Sequence, residues 1–264
     1  MATANVSGTP LHYLDEGPAG ARQAVLLLHA FPLHSGMWAR QIAALSPRHR
    51  VVAPDYRGLG KTPPPAGPST MQVVAGDARA LLAHLGIERA VVVGLSMGGY
   101  VALELFRQSP GLFRGLALCD TRATADTDEG KANRESFAKN ALERGLGWVA
   151  DEMIPKLLRE GPGAAEVKEV RDLVSGGTPA GVAAAQRGMA ARPDSTATLA
   201  AIRCPAIVVV GEGDRMIPVA DAEKLATGIA GARLVRIPGA GHLPNIEAPE
   251  AFNRALLGFV DGLT

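Results

Sequence analysis

Ala90-Val91-Val92-Val93-Gly94-Leu95-Ser96-Met97-Gly98-Gly99-Tyr100 is the stretch on which the fold of this 264-residue chain turns. Its first half is a continuous β-branched apolar run, the pattern of a strand buried on both faces. Its second half opens a segment with helical spacing, Met97 to Gln108, and the change of period falls across a serine flanked by glycines. Outward from this strand-turn-helix unit the same alternation recurs. Apolar runs at Ala24 to His29, Val51 to Ala53, Gly115 to Cys119, Ala206 to Val210 and Leu234 to Ile237 predict further strands. Helices are predicted over Ser35 to Leu45, Thr70 to Leu85, Ala220 to Ile229 and Pro249 to Val260. Such alternation implies the α/β class with a mostly parallel, doubly wound sheet. Val6 to Leu14, with alternating Leu11 and Tyr13 ahead of a Gly-Pro turn, predicts one antiparallel edge strand.

From Thr121 to about Leu199 the alternation stops. Helical segments are punctuated there by Gly161-Pro162-Gly163 and Gly176-Gly177-Thr178-Pro179, without a Val/Ile-rich strand. An inserted helical cap over 121–199 is therefore expected, with 1–120 and 200–264 forming the core. The length suits one large domain carrying such an insert. Hydrophobic residues at 47% and charged residues at 20% describe an ordinary globular chain. A net charge of +1 without a basic run offers no footprint for nucleic acid or an anionic membrane. Small molecules are the expected partners. The start lacks the basic and apolar regions of a secretory signal, so cytoplasmic residence is the default expectation. No apolar run approaches the ~20 residues of a spanning helix. The two cysteines, Cys119 at a strand end and Cys204 ahead of another strand, are expected roughly 15 Å apart and unbridged.

Gly94-Leu95-Ser96-Met97-Gly98 fits G-x-S-x-G. The letters alone are common in a glycine-rich chain, and a serine capping a helix would produce them too. Between a strand and a helix they describe a sharp turn that presents a serine hydroxyl, with glycines where side chains have no room. A hydroxyl is a poor nucleophile near neutral pH, so a base must take its proton. Of six histidines, His242 follows a strand and precedes the last helix, at the sheet edge where Ser96 emerges. His29 closes a buried strand and is assigned a structural role; His12, His49 and His84 are assigned to surface or packing, and His34 to the pocket border. The base needs an acceptor on its other nitrogen. Asp214, on the loop after Ala206 to Val210, is the preferred residue, with Glu212 and Asp120 as rivals. Asp55 is expected to tie its loop to Arg57. An oxyanion would be held by the N–H of Met97, at a helix N-terminus, and of Phe31, since Pro32 has none. Trp148, Met153, Ile154 and Met189 are expected to line the substrate pocket, or else to form the cap's own core. The chemistry needs neither metal nor cofactor.

Taken with His29-Ala30-Phe31-Pro32, Ser35-Gly36-Met37-Trp38, Asp55-Tyr56-Arg57-Gly58-Leu59-Gly60, Gly211-Glu212-Gly213-Asp214 and Gly239-Ala240-Gly241-His242, the motif resembles those of the α/β-hydrolase superfamily. Within it the chain is similar to small carboxylesterases, 3-oxoadipate enol-lactonases and cofactor-free haloperoxidases or perhydrolases. The resemblance spans nearly everything outside the cap and is specific for fold and triad rather than for substrate. Relatives usually carry glycine where Ala30 stands, an extra methyl that would narrow the pocket. Relatives that open epoxides or displace halide use aspartate in place of Ser96, which speaks against both activities. Phe31-Pro32 matches the oxyanion loop of perhydrolases, although the proline is read first as shaping its loop. The implied activity is hydrolysis of small to medium uncharged carboxylic esters through an acyl-enzyme. An enol-lactone or carbon-carbon bond substrate is the alternative, for which Arg122, Arg134 or Arg187 would be the cationic anchor if they are not simply in surface ion pairs. A non-catalytic small-molecule receptor is the reading of another class.

Overall fold

The computed structural model describes residues 2–6 and 8–263. Eight strands form one sheet in the order β1-β2-β4-β3-β5-β6-β7-β8. They are β1 (Ala2–Val6), β2 (Thr9–Glu16), β3 (Gln23–Leu28), β4 (Val51–Pro54), β5 (Arg89–Leu95), β6 (Phe113–Cys119), β7 (Ala206–Gly211) and β8 (Arg233–Ile237). From β4 to β8 every pairing is parallel, and Leu26 of β3 sits between Val52 of β4 and Val92 of β5. The central strands are buried on both faces, as their unbroken Val and Leu runs require.

At the other edge the predicted single strand Val6 to Leu14 is two strands. Gly8, at φ 76°, turns the chain so that β1 pairs antiparallel with β2, and β2 in turn with β4. Alternation in Leu11 and Tyr13 identified β2, whereas the left-handed backbone at Gly8 broke the run that a two-residue period had carried through it. Ser7 lies outside the described residues.

Helices fill the crossovers: α1 (Ala39–Leu45), entered through a 3-10 turn at Ser35–Trp38, α2 (Met71–His84), α3 (Met97–Gln108), α8 (Val219–Gly228), α9 (Pro244–Glu247) and α10 (Pro249–Asp261). After β3 the chain steps outward to β4 and then returns past β3 to β5. Right-handed crossovers on both steps put α1 and α2 on opposite faces; α1 packs with α10, and α2 with α3. The reversal opens a crevice beyond the carboxyl ends of β3 and β5, where open α/β sheets bind ligands.

Between β6 and β7 lie α4 (Asp128–Leu157), α5 (Ala164–Ser175), α6 (Pro179–Ala190) and the short α7 (Thr196–Leu199). Thr127 and Thr178 cap α4 and α6, their hydroxyls accepting from the N–H of Gly130 at 3.1 Å and Gly181 at 3.0 Å. Gly145, at φ 77°, breaks α4 into two pieces. α4 and α6 pack together. No helix among the described residues is long and apolar enough to cross a membrane. Cys119 and Cys204 are both free, the former buried.

Candidate active site

Ser96 follows β5 with φ 54° and ψ −114°, a conformation costing on the order of 1–3 kcal/mol for a residue other than glycine. The surroundings hold it there. Its N–H donates to Cys119 O at 2.8 Å, and its carbonyl accepts from Thr121 Oγ1 at 2.8 Å and Gly99 N at 2.9 Å. A Cβ at Gly98 would stand 2.0 Å from Leu28 O, and one at Gly94 2.3 Å from Gly98 O, so neither site admits a side chain. The turn closes only because both neighbours are glycine.

His242, on the loop after β8, is fully buried and its Nε2 lies 2.8 Å from Ser96 Oγ. Its Nδ1 is 2.8 Å from Asp214 Oδ2. An ionised carboxylate only accepts, so the ring proton sits on Nδ1 and Nε2 is left bare to accept from the serine hydroxyl. Asp214 is fixed in turn, its Oδ1 accepting from Met216 N at 2.7 Å and Ile217 N at 3.0 Å. Of its two rivals, Glu212 faces solvent. Asp120 is buried behind Asp214, with Oδ1 accepting from Gly211 N at 2.8 Å. Phe31 follows β3 and lines the same cavity as Ser96. Met97 opens α3, where first-turn N–H groups have no intrahelical acceptor. The Phe31–Pro32 peptide is cis.

Glu247 is the residue that sequence reasoning missed. Its side chain is fully buried and accepts from Gly241 N at 2.9 Å, Leu243 N at 3.2 Å and Arg159 N at 2.6 Å. It thereby grips both sides of His242 and joins that loop to the chain just after α4. The sequence signal was slight, an acidic residue five positions after His242 in Leu243-Pro244-Asn245-Ile246-Glu247.

A cavity of about 300 Å3 opens onto Ser96, lined also by Phe31, Tyr100, Arg122, Asp126, Gly130, Asn133, Arg134, Phe137, Met153, Lys156, Gln186, Met189, Met216 and Ile217. Of the four cap residues singled out from the sequence, Met153 and Met189 line this cavity. Trp148 and Ile154 are not among the lining residues: Trp148 packs at a tilt against Phe137, ring centroids 4.9 Å apart, under the Arg144 guanidinium, and Ile154 packs into the core. Both sit on the inner side of α4, so an apolar character could not separate lining from core. Ala30 is buried outside the lining, so its methyl does not narrow this cavity. His34 is also elsewhere: its ring accepts from Gly36 N and lines a groove with Lys168 and Leu173.

The lining is more charged than expected. Asp126, buried, binds Arg122 at 3.0 Å, Arg192 at 2.7 Å and Arg134. Burial alone would raise its carboxyl, but hydrogen bonds from Arg192 and Arg134 outweigh that and hold it well below the ordinary range. With Lys156, three cations and one anion face the space in front of Ser96. Arg187, the third arginine considered, pairs instead with Glu135 at 2.9 Å. Asp55 does not bind Arg57: it takes His12 Nδ1 at 2.8 Å and the N–H of Ser35 and Lys61 at 2.9 Å, and Arg57 forks onto Asp77.

Residues 25–255 match the Alpha/beta hydrolase family. The chain is a member of that family. This alpha/beta hydrolase is 40% identical to an esterase from Thermogutta terrifontis solved with malate bound, with a TM-score of 0.93 over 100% of this chain and 97% of the other. It is 30% identical to 3-oxoadipate enol-lactonase 1 of Acinetobacter baylyi, over 98% of this chain and 96% of the relative. It is 29% identical to the putative carbamate hydrolase RutD of a Caulobacter species, over 99% of both chains. The alpha/beta hydrolase fold, with its eight-stranded sheet, is thus accompanied by relatives described as hydrolases of different bonds.

Proposed function

We propose that this protein is a serine hydrolase acting on small carboxylic esters or lactones through an acyl-enzyme. The observation that carries the reading is the unbroken row from Asp214 Oδ2 to His242 Nδ1 and from His242 Nε2 to Ser96 Oγ, each contact 2.8 Å. His242 takes the Ser96 proton as Oγ attacks the carbonyl carbon, and Asp214 stabilises the imidazolium that forms. The N–H groups of Phe31 and Met97 receive the oxyanion, a contribution of about 3 kcal/mol each by typical deletions. His242 returns its proton to the leaving alcohol, then activates water to release the acid. Residues 121–199 act as a cap over the core formed by 1–120 and 200–264, closing the cavity.

A second reading concerns charge. Arg122, Arg134 and Lys156 face the cavity beside Ser96, which favours substrates bearing a carboxylate over the uncharged esters that the apolar cap residues suggested. The enol-lactonase relative is in keeping with such a substrate. One panel tests both readings. Ser96→Ala should abolish turnover of p-nitrophenyl acetate, of a half-ester of a dicarboxylic acid and of an enol-lactone, and block labelling by a fluorophosphonate. Arg134→Gln should raise KM for the two anionic substrates about ten-fold and leave p-nitrophenyl acetate unchanged. Turnover surviving Ser96→Ala would refute the nucleophile, and an equal effect of Arg134→Gln on all three substrates would refute the anchor.

A further inference from the structure

Among the described residues, two that are not glycine have a left-handed backbone, Ser96 at φ 54° and Asp120 at φ 44°. They follow β5 and β6, neighbouring parallel strands, and strain of this kind concentrates at working sites. Asp120 is pinned by main-chain and side-chain bonds, its N–H donating to Val209 O at 3.0 Å and its Oδ1 accepting from Gly211 N. Its other oxygen, Oδ2, is buried and finds no donor among the described residues. Gly211, whose N–H Asp120 holds, also accepts from Asp214 N at 3.1 Å, which brings the two carboxyls to one turn, and the charge of Asp214 acts on Asp120. Two ionised carboxylates are both acceptors and cannot bond to one another; one proton between them can.

We propose that Asp120 carries that proton and donates it as a hydrogen bond to Asp214, making it the positioning residue behind the Asp214–His242–Ser96 row. The inference rests on the serine-hydrolase reading of that row. Burial first, then the charge of Asp214, push the Asp120 carboxyl well above the ordinary carboxylate range, Glu247 on α9 adds to the rise, and the Gly211 N–H opposes it. The adjacent Cys119 thiol is also pushed up by burial. An Asp carboxylate has about four lone-pair sites. Met216 N, Ile217 N and His242 Nδ1 occupy three on Asp214, and Asp120 fills the fourth. Fully engaged, Asp214 cannot rotate away from the imidazole, and it meets a neutral neighbour in place of a second anion.

The test compares wild type with Asp120→Asn and Asp120→Ala. Isotope-edited infrared spectra with labelled aspartate should show a protonated-carboxyl stretch at neutral pH in the wild type that Asp120→Asn removes. Asp120→Ala should lower kcat about ten-fold with KM unchanged and move the acid limb of the kcat/KM profile. Asp120→Asn, whose amide still donates to Asp214 while its carbonyl accepts from Gly211, should recover most of that loss. Absence of the infrared band overturns the proposal, as do Ala and Asn variants with the same kcat and superimposable pH profiles. If Asp120→Ala does not fold, the Asn variant and the spectrum decide. Wild-type turnover that survives Ser96→Ala would fail differently: it would overturn the hydrolase reading and with it the positioning role, the band alone still reporting the proton.

Discussion

His29, just after β3, carries a neutral ring. Its Nδ1 donates to Ala30 O at 3.0 Å, its Nε2 accepts from Tyr56 N at 3.1 Å, and the ring stacks on Tyr56 at 3.8 Å. Accepting at Nε2 leaves no place for a second proton, and burial lowers its pKa from 6.5 to about 4. The unfolded chain therefore binds a proton on this residue near pH 6.5 that the folded chain refuses until about pH 4. A depressed basic group of this kind is neutral at no cost above its unfolded value, and stability falls as pH drops from 6.5 to about 4, by roughly 3 kcal/mol in all. Urea unfolding at pH 7 and pH 4.5 should show this loss in the wild type and a flatter difference in His29→Gln; an unchanged slope in the variant would assign the pH dependence elsewhere. Its structural role was legible from its place closing a buried strand. Asp120 was legible only as a rival acid, because nothing in a linear sequence says that two carboxyls will share one proton.

Among the elements, the loop from β8 to α9 carries His242 on residues with no strand or helix bonds of their own. Its carboxylate, Glu247, takes N–H groups from Gly241, Leu243 and Arg159, substituting for ladder and helix bonds that the loop lacks. Glu247→Gln would turn an NH2 toward these donors. On the proposed reaction kcat should fall about ten-fold, and amide exchange at 241–243 should quicken; unaltered exchange together with unaltered kcat would show that the loop holds itself. Strands and helices flanking the site were readable because their periods are plain: β5 and α3 have the period change at Ser96 itself. The β1-β2 hairpin was not, since a glycine turn inside an alternating run leaves the alternation intact to the eye while reversing the chain.

At the scale of the molecule, Asp126 ties the sheet edge to the helices above it. Arg122 follows β6, Arg134 lies on α4 and Arg192 follows α6, and all three converge on one carboxylate. Asp126→Asn would leave three arginines packed together without their anion, a change expected to cost about 3–5 kcal/mol. Because its folded pKa is depressed, the Asp126 contribution is fully present above the ordinary carboxylate range and is lost as pH falls through that range toward the lower folded value. Denaturation of wild type and variant should therefore differ widely at neutral pH and converge in acid; a constant gap would contradict the assignment. The arrangement was hidden in the sequence because the partners are 4, 8 and 66 residues from Asp126, and only the fold makes them neighbours. That same cluster has a consequence for turnover. Cleaving an ester adds a negative charge to whatever occupies the cavity, and the newly made acid must leave past Arg122, Arg134 and Lys156. On the proposed chemistry the product is held more firmly than its precursor, so catalysis slows as acid accumulates, and dissolved salt relieves the retention.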